Sequence, residues 1–215
     1  MSDEYASFLV THPPKLLGGY TTMNLLLARH GESEWMVRGD EAGFNSPLTD
    51  KGRQQARLLG RWLAANQEAI DAIYASTLIR ARDTAEIVAA ELGLPVSFDD
   101  DLREFKVFYW DDSDDYAPPY INDSAAAPAY LAESYLPFKA RVQRAARRIL
   151  KAHPEGTVLI VAHGGTVGTI VRCLLGAHSF GVYTEPTGLH GLRWIGNRWL
   201  VEFMNRREHL LGEIE

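Results

Sequence analysis

The chain has 215 residues, a single cysteine and a formal net charge of −6. That length is enough for one domain with its own apolar core, and lone Cys173 excludes an internal disulfide or a zinc finger and points to a reducing, cytoplasmic setting. The acidic balance without a dense Lys/Arg block argues against nucleic-acid or membrane partners, no apolar run reaches the roughly 20 residues of a spanning helix, and Met1–Tyr5 lacks the basic start of a signal peptide.

Residues 1–22 read as a leader, since Pro13-Pro14 and Gly18-Gly19 interrupt any regular pattern, and 23–215 as a single domain. Leu25-Leu26-Leu27 within 24–28 predicts a buried parallel strand. Residues 49–65 predict a helix, with Ala56, Leu59 and Leu63 on one face. A second strand is expected at 71–75. Ser76 or Thr77 would then cap a helix carrying Leu78, Ala85, Val88 and Leu92 on one face and ending at Gly93 and Pro95. The Asp- and Pro-rich stretch that follows reads as a loop or lid over a site, an insertion at about 105–129. A helix over about 130–152, a strand at 157–162, a helix from about Thr166 and a late strand around 199–204 complete the chain. Strands alternating with helices predict a three-layer α/β/α sandwich with a mostly parallel central sheet.

In such folds ligands bind beyond the carboxyl ends of the strands. Strand 24–28 runs into Arg29-His30-Gly31-Glu32 and strand 157–162 into His163-Gly164-Gly165, so both histidines are expected at one sheet edge. A neutral imidazole attacks phosphorus well, provided that cationic and N–H donors bind the phosphoryl oxygens and an acid protonates the leaving oxygen. Arg29 lies beside His30, and Arg80 and Arg82 open the helix after strand 71–75. A guanidinium fork matches two phosphate oxygens at once. His163 is a further donor, and Gly164-Gly165 allows close backbone approach with helix-start N–H groups. Glu104 is the candidate acid. The acidic runs at 99–101 and 111–115 read as loop charge rather than metal ligands, His12, His153, His178 and His190 as structural, Cys173 as core, and the tryptophans as packing.

Leu27–Ser33, with its Arg29-His30-Gly31-Glu32, resembles the opening signature of the histidine phosphatase superfamily, in its phosphoglycerate mutase-like branch. Ser46-Pro47-Leu48-Thr49-Asp50-Lys51-Gly52 is similar to the segment leading into that family's first helix, and Ser76–Ala85 to its second phosphate-binding segment, with the arginine at Arg80. Leu102-Arg103-Glu104, then Glu133-Ser134 with Phe138 and Arg141-Val142, and Val161–Gly165 continue the resemblance in order over about residues 23–210. It implies that Arg29, Arg80 and His163 bind the phosphoryl group and that His30 forms a phosphohistidine. Glu104 is implied as proton donor and then as activator of water. No metal and no organic cofactor are implied.

Two departures stand out. Phe105–Asp112 lacks the Gly-x-Trp-Glu-Gly type segment usual after the acid in the phosphatase branch, and Trp35 is followed by Met36 where phosphoglycerate-acting members often have Asn. Ser33 and Asn45 are candidate substrate contacts in its stead. The expectation is a phosphatase for a small phosphorylated metabolite, with substrate chosen by residues in 105–129 and 178–190. A phosphoglycerate mutase, a phosphoprotein phosphatase and a non-catalytic phospho-ligand binder are the alternatives.

Overall fold

A computed structural model of the chain describes residues 22–66, 69–105, 135–177 and 180–211. The leader before Thr22 lies outside these residues, as do nearly all of the expected lid, the start of the 130–152 helix, His12 and His178.

In chain order the elements are β1 (Thr22–Arg29), α1 (Glu34–Arg38), α2 (Asp50–Asn66), β2 (Ala72–Ser76), α3 (Ile79–Leu92), β3 (Val96–Asp99), α4 (Tyr135–Ala152), β4 (Gly156–Ala162), α5 (Gly164–Leu175), β5 (Leu189–Ile195) and β6 (Arg198–Arg206). The six strands form one sheet in the order β3-β2-β4-β1-β5-β6. β3, β2, β4 and β1 are mutually parallel, β5 runs antiparallel to β1, and β6 antiparallel to β5. The sheet is therefore mostly parallel, as expected, but mixed at the β5 side.

Burial on both faces explains the run of leucines in β1. Leu25 and Leu27 pack with Phe138, Val142 and Ile149 of α4 and Val167 and Ile170 of α5. Leu26 and Ala28, one residue out of phase, pack on the other face with Leu59 and Leu63 of α2 and Ala85 and Val88 of α3. Helices thus cover both faces, and the carboxyl ends of the central strands are left to the loops.

The structure corrects several local expectations. The N-cap of α3 is Leu78, with no side-chain cap of its own; instead Asn45 Oδ1 accepts the Ile79 N–H at 2.8 Å from a distant loop. Ser76 is drawn away from capping by a bond to His163. Helix α5 starts at Gly164 rather than near Thr166, and Cys173, expected in the core, is only half-buried, lying just beyond the buried stretch Thr166–Val171 of α5. Asp99 and Asp101 are more than loop charge, since they pair with Arg148 and Arg144 of α4. No helix among the described residues is long and apolar enough to cross a membrane.

Candidate active site

Strands β1 and β4 are direct neighbours in register, with Arg29 opposite Ala162. One residue further on, His30 follows β1 and His163 follows β4, and the His30 N–H donates to the Ala162 carbonyl at 2.9 Å. Adjacent parallel strands that end together therefore bring the two imidazoles together: their centroids lie 5.1 Å apart, edge to face. Both histidines are buried.

His30 Nδ1 lies 2.7 Å from the Gly31 carbonyl, which can only accept, so Nδ1 carries the ring proton and Nε2 keeps its lone pair. Arg80 Nε donates to that Nε2 at 3.0 Å. Burial, then the charges of Arg80 and Arg29, push the His30 pKa well below the usual histidine range. The ring is therefore neutral near pH 7, with its lone pair aimed at the guanidinium.

Ser76, at the end of β2, sits 2.8 Å from His163 Nε2. Its Oγ also accepts the Leu78 N–H at 3.3 Å. The His163 Nδ1 is buried without a hydrogen-bond partner among the described residues. Burial and then Arg80 depress the His163 pKa as well.

Arg80 is buried, its guanidinium over the Phe44 ring at 5.1 Å, and desolvation lowers its pKa to about 10, so it stays cationic at neutral pH. Arg29 donates to the Thr184 carbonyl at 2.8 Å and approaches Met36 Sδ at 3.5 Å. The arginines act electrostatically on both histidines and on Glu104. Arg82, by contrast, does not reach the site; it pairs at the surface with Asp83 and Glu86.

Glu104 follows the short turn after β3, and its carboxylate lies against the start of α5. Oε2 accepts the Gly165 N–H at 2.8 Å and Oε1 the Phe105 N–H at 3.2 Å. Any side chain at 165 would begin 2.6 Å from Oε1, so glycine is needed there for the approach. Burial raises the Glu104 pKa, opposed by the two backbone N–H groups and by Arg80 and Arg29. Gly164 is the first residue of α5, next to the His163 N-cap.

All five residues expected at the centre, Arg29, His30, Arg80, Glu104 and His163, thus share one neighbourhood. The two candidate substrate contacts differ. Ser33 is fully buried, its Oγ without a partner among the described residues, whereas the Asn45 carbonyl oxygen is already spent on the start of α3. Sequence reasoning missed Ser76 and Thr84 as site residues, as well as the Phe44 ring and the Thr184 carbonyl that hold the guanidiniums. Ser76 and Thr84 stand inside the phosphate-binding segment quoted above, but only three-dimensional contact reveals what they touch.

The family model described as histidine phosphatase superfamily (branch 1) matches residues 25–207. A relative from Enterobacter sp. (strain 638), named "Probable phosphoglycerate mutase GpmB", is 29% identical over 207 residues, covering 87% of this chain and 95% of its own. The solved structure of Bacillus stearothermophilus YhfR superposes with a TM-score of 0.71 at 30% identity, covering 87% of this chain and 98% of that one. A mycobacterial glucosyl-3-phosphoglycerate phosphatase, solved with VO3, has a TM-score of 0.67 at 26% identity and covers 85% of this chain and 98% of its own.

Proposed function

Since the chain belongs to the histidine phosphatase superfamily, we propose that it hydrolyses small phosphorylated metabolites through a phosphohistidine on His30. The observation that carries this reading is the state of His30: neutral, its proton held by Gly31 and its Nε2 lone pair directed at Arg80. A ring so held is a nucleophile adjoining a ready anion site.

In the first step a phosphate monoester displaces Nε2 from Arg80 and lies against Arg29, Arg80, His163 and the Gly164 N–H. His30 Nε2 attacks phosphorus in line, the Nε2–P bond forms and the P–O ester bond breaks. Glu104 passes its proton to the leaving oxygen. In the second step the Glu104 carboxylate takes a proton from water, whose oxygen attacks phosphorus; the P–N bond breaks, inorganic phosphate leaves, and the electron pair returns to Nε2. Ser33 Oγ is a candidate contact to substrate, with Asn45 a weaker one, its carbonyl oxygen being occupied. Substrate choice falls to the segment 105–129 as a lid and to the loop before β5.

The cations needed to neutralise phosphate are supplied by arginine, so the reaction is metal-independent and needs no cofactor. Activity is expected to survive exhaustive chelation; loss with EDTA and rescue by a divalent ion would overturn this. The composition supports a cytoplasmic location and argues against nucleic-acid and membrane partners.

The name of the Enterobacter relative favours a second reading, phosphotransfer between phosphoglycerates. Against it, the sequence Phe105–Asp112 carries one cation, Lys106, and two acidic residues, Asp111 and Asp112, a composition ill suited to a doubly phosphorylated donor. The test is phosphate release from a panel of phosphorylated metabolites, with and without a bisphosphorylated donor. Release without donor, lost in a folded His30→Ala, is expected. A variant keeping more than a tenth of kcat, a deficit of only about 1.4 kcal/mol, removes His30 from the nucleophile role; isomerisation dependent on the donor establishes the mutase.

A further inference from the structure

Four hydrogen bonds join His30 and Arg80 into a closed circuit, and one member of it is a residue with no part in the chemistry above. Arg80 Nε donates to His30 Nε2 at 3.0 Å. His30 Nδ1 donates to the Gly31 carbonyl at 2.7 Å. The Gly31 N–H donates to Thr84 Oγ1 at 3.1 Å. Thr84 Oγ1 returns its proton to the Arg80 carbonyl at 2.6 Å, one helical turn back along α3. Each member donates to the next; the Arg80 Nε–H and the backbone groups have fixed roles, which set the His30 tautomer and the direction of the Thr84 hydroxyl. Thr84 is fully buried and His30 and Arg80 nearly so, which keeps water from substituting at any link.

A threonine within a helix often bonds the carbonyl four residues earlier and nothing more. Thr84 differs because that bond commits its proton and turns a lone pair toward the backbone of the nucleophile loop. Gly31 is then gripped on two sides, its N–H by Thr84 and the following peptide by Gln55, whose Oε1 accepts the Glu32 N–H at 2.8 Å. Of these two grips, only the one through Thr84 connects the nucleophile to the helix that carries Arg80.

We propose that Thr84 is a positioning residue that holds the aim of His30 relative to Arg80 by tying the Gly31 backbone to α3. Of the four links, the one from Arg80 to His30 must open when phosphate enters, and the other three hold both partners in place while it does. The inference rests on the phosphatase reading for its kinetic consequence but not for its structural one.

The experiment compares wild type, the isosteric Thr84→Val and the hydroxyl-retaining Thr84→Ser, with folding verified by thermal denaturation. Phosphohistidine formation is timed in single turnover on an aryl phosphate, and the His30 ring nitrogens are observed by 15N NMR. Thr84→Val is expected to lower kcat by about 10²-fold, the effect of a slight misplacement of reacting groups, with KM unchanged; Thr84→Ser is expected to recover most of the rate. The 15N spectrum is expected to show Nε2 hydrogen-bonded to Arg80 in wild type and in Thr84→Ser, and an Nε2 resonance moved toward that of a free lone pair in Thr84→Val. Near-wild-type kcat in Thr84→Val, equal loss in Thr84→Ser, or the same His30 Nε2 resonance in both wild type and Thr84→Val overturns the proposal. Thr84→Ala takes the place of the isostere in every arm if the isostere does not fold. If wild type releases no phosphate at all, the phosphatase reading falls, while the 15N comparison still decides the role of Thr84.

Discussion

Glu104 must give a proton in one half of the reaction and take one in the other. Its surroundings suit both duties: burial favours the acid, while the Gly165 and Phe105 N–H groups, with Arg80 and Arg29, favour the carboxylate. As a proton donor it matters most where the departing oxygen is a strong base. Glu104→Gln is therefore expected to slow phosphohistidine formation from an alkyl phosphate by about 10²–10⁴-fold, the usual range for general acid catalysis, and to slow it far less from a nitrophenyl phosphate. Equal losses on the two esters, or a larger leaving-group effect in Asp111→Asn or Asp112→Asn, would show that another group donates. At this scale His30 and His163 were legible because each follows an apolar strand, and Glu104 through the resemblance of its segment. Ser76 and Thr84 were not, since a hydroxyl acquires its role here from partners 87 and 53 residues away, beyond the reach of any local pattern.

The histidine loop is seated by its packing on the first turn of α2. A Cβ at Gly52 would overlap the Glu32 carbonyl oxygen, and one at Gly31 the Gly52 carbonyl oxygen, so the two glycines permit a backbone approach that no side chain tolerates. Thr49 reinforces the junction by donating to Glu32 Oε1 at 2.9 Å and accepting the Gly52 N–H at 3.0 Å. Gly52→Ala is expected to cost about 1–3 kcal/mol, as overpacking does, and to lower kcat as well, because relief of the clash moves the loop bearing His30. Gly181→Ala, where an added methyl meets nothing within 4 Å, serves as the control and leaves the melting temperature unchanged. A Gly52→Ala protein with wild-type melting temperature and rate would show that the junction is not rigid. Among the elements, β1 and β4 were legible because strands buried on both faces read as continuous apolar runs. β3 and β5 were not. At the sheet edge β3 leaves Ser97 and Phe98 exposed, and β5 carries His190, Gly191 and Arg193 inside a strand that is nonetheless central, so neither shows a period.

Among the described residues, four histidines are buried in the neutral form: His30 and His163 in the site, and His190 and His209 outside it. Burial lowers the last two to about 4, with Arg207 adding to the effect at His209. His209 has a structural role, for its Nε2 lies 2.9 Å from Thr187 Oγ1, and the Thr187 N–H reaches the carbonyls of Arg29 and His30. A histidine in the unfolded chain titrates near 6.5. Above that pH both states are neutral and the full stability is present. As the pH falls below it, the unfolded chain binds protons that the folded one refuses, so stability declines until the folded pKa is reached near 4. Between about pH 7.5 and about pH 5, each such histidine withdraws roughly 2 kcal/mol. That interval lies above the ordinary carboxylate range, which separates the histidine contribution from general acid denaturation. His209→Gln keeps a polar partner for Thr187 but cannot titrate. Its melting temperature is therefore expected to fall less than that of wild type over this interval, by about 4–8 °C. Parallel melting curves for the two proteins across that range would mean that His209 takes up its proton without unfolding the structure around it.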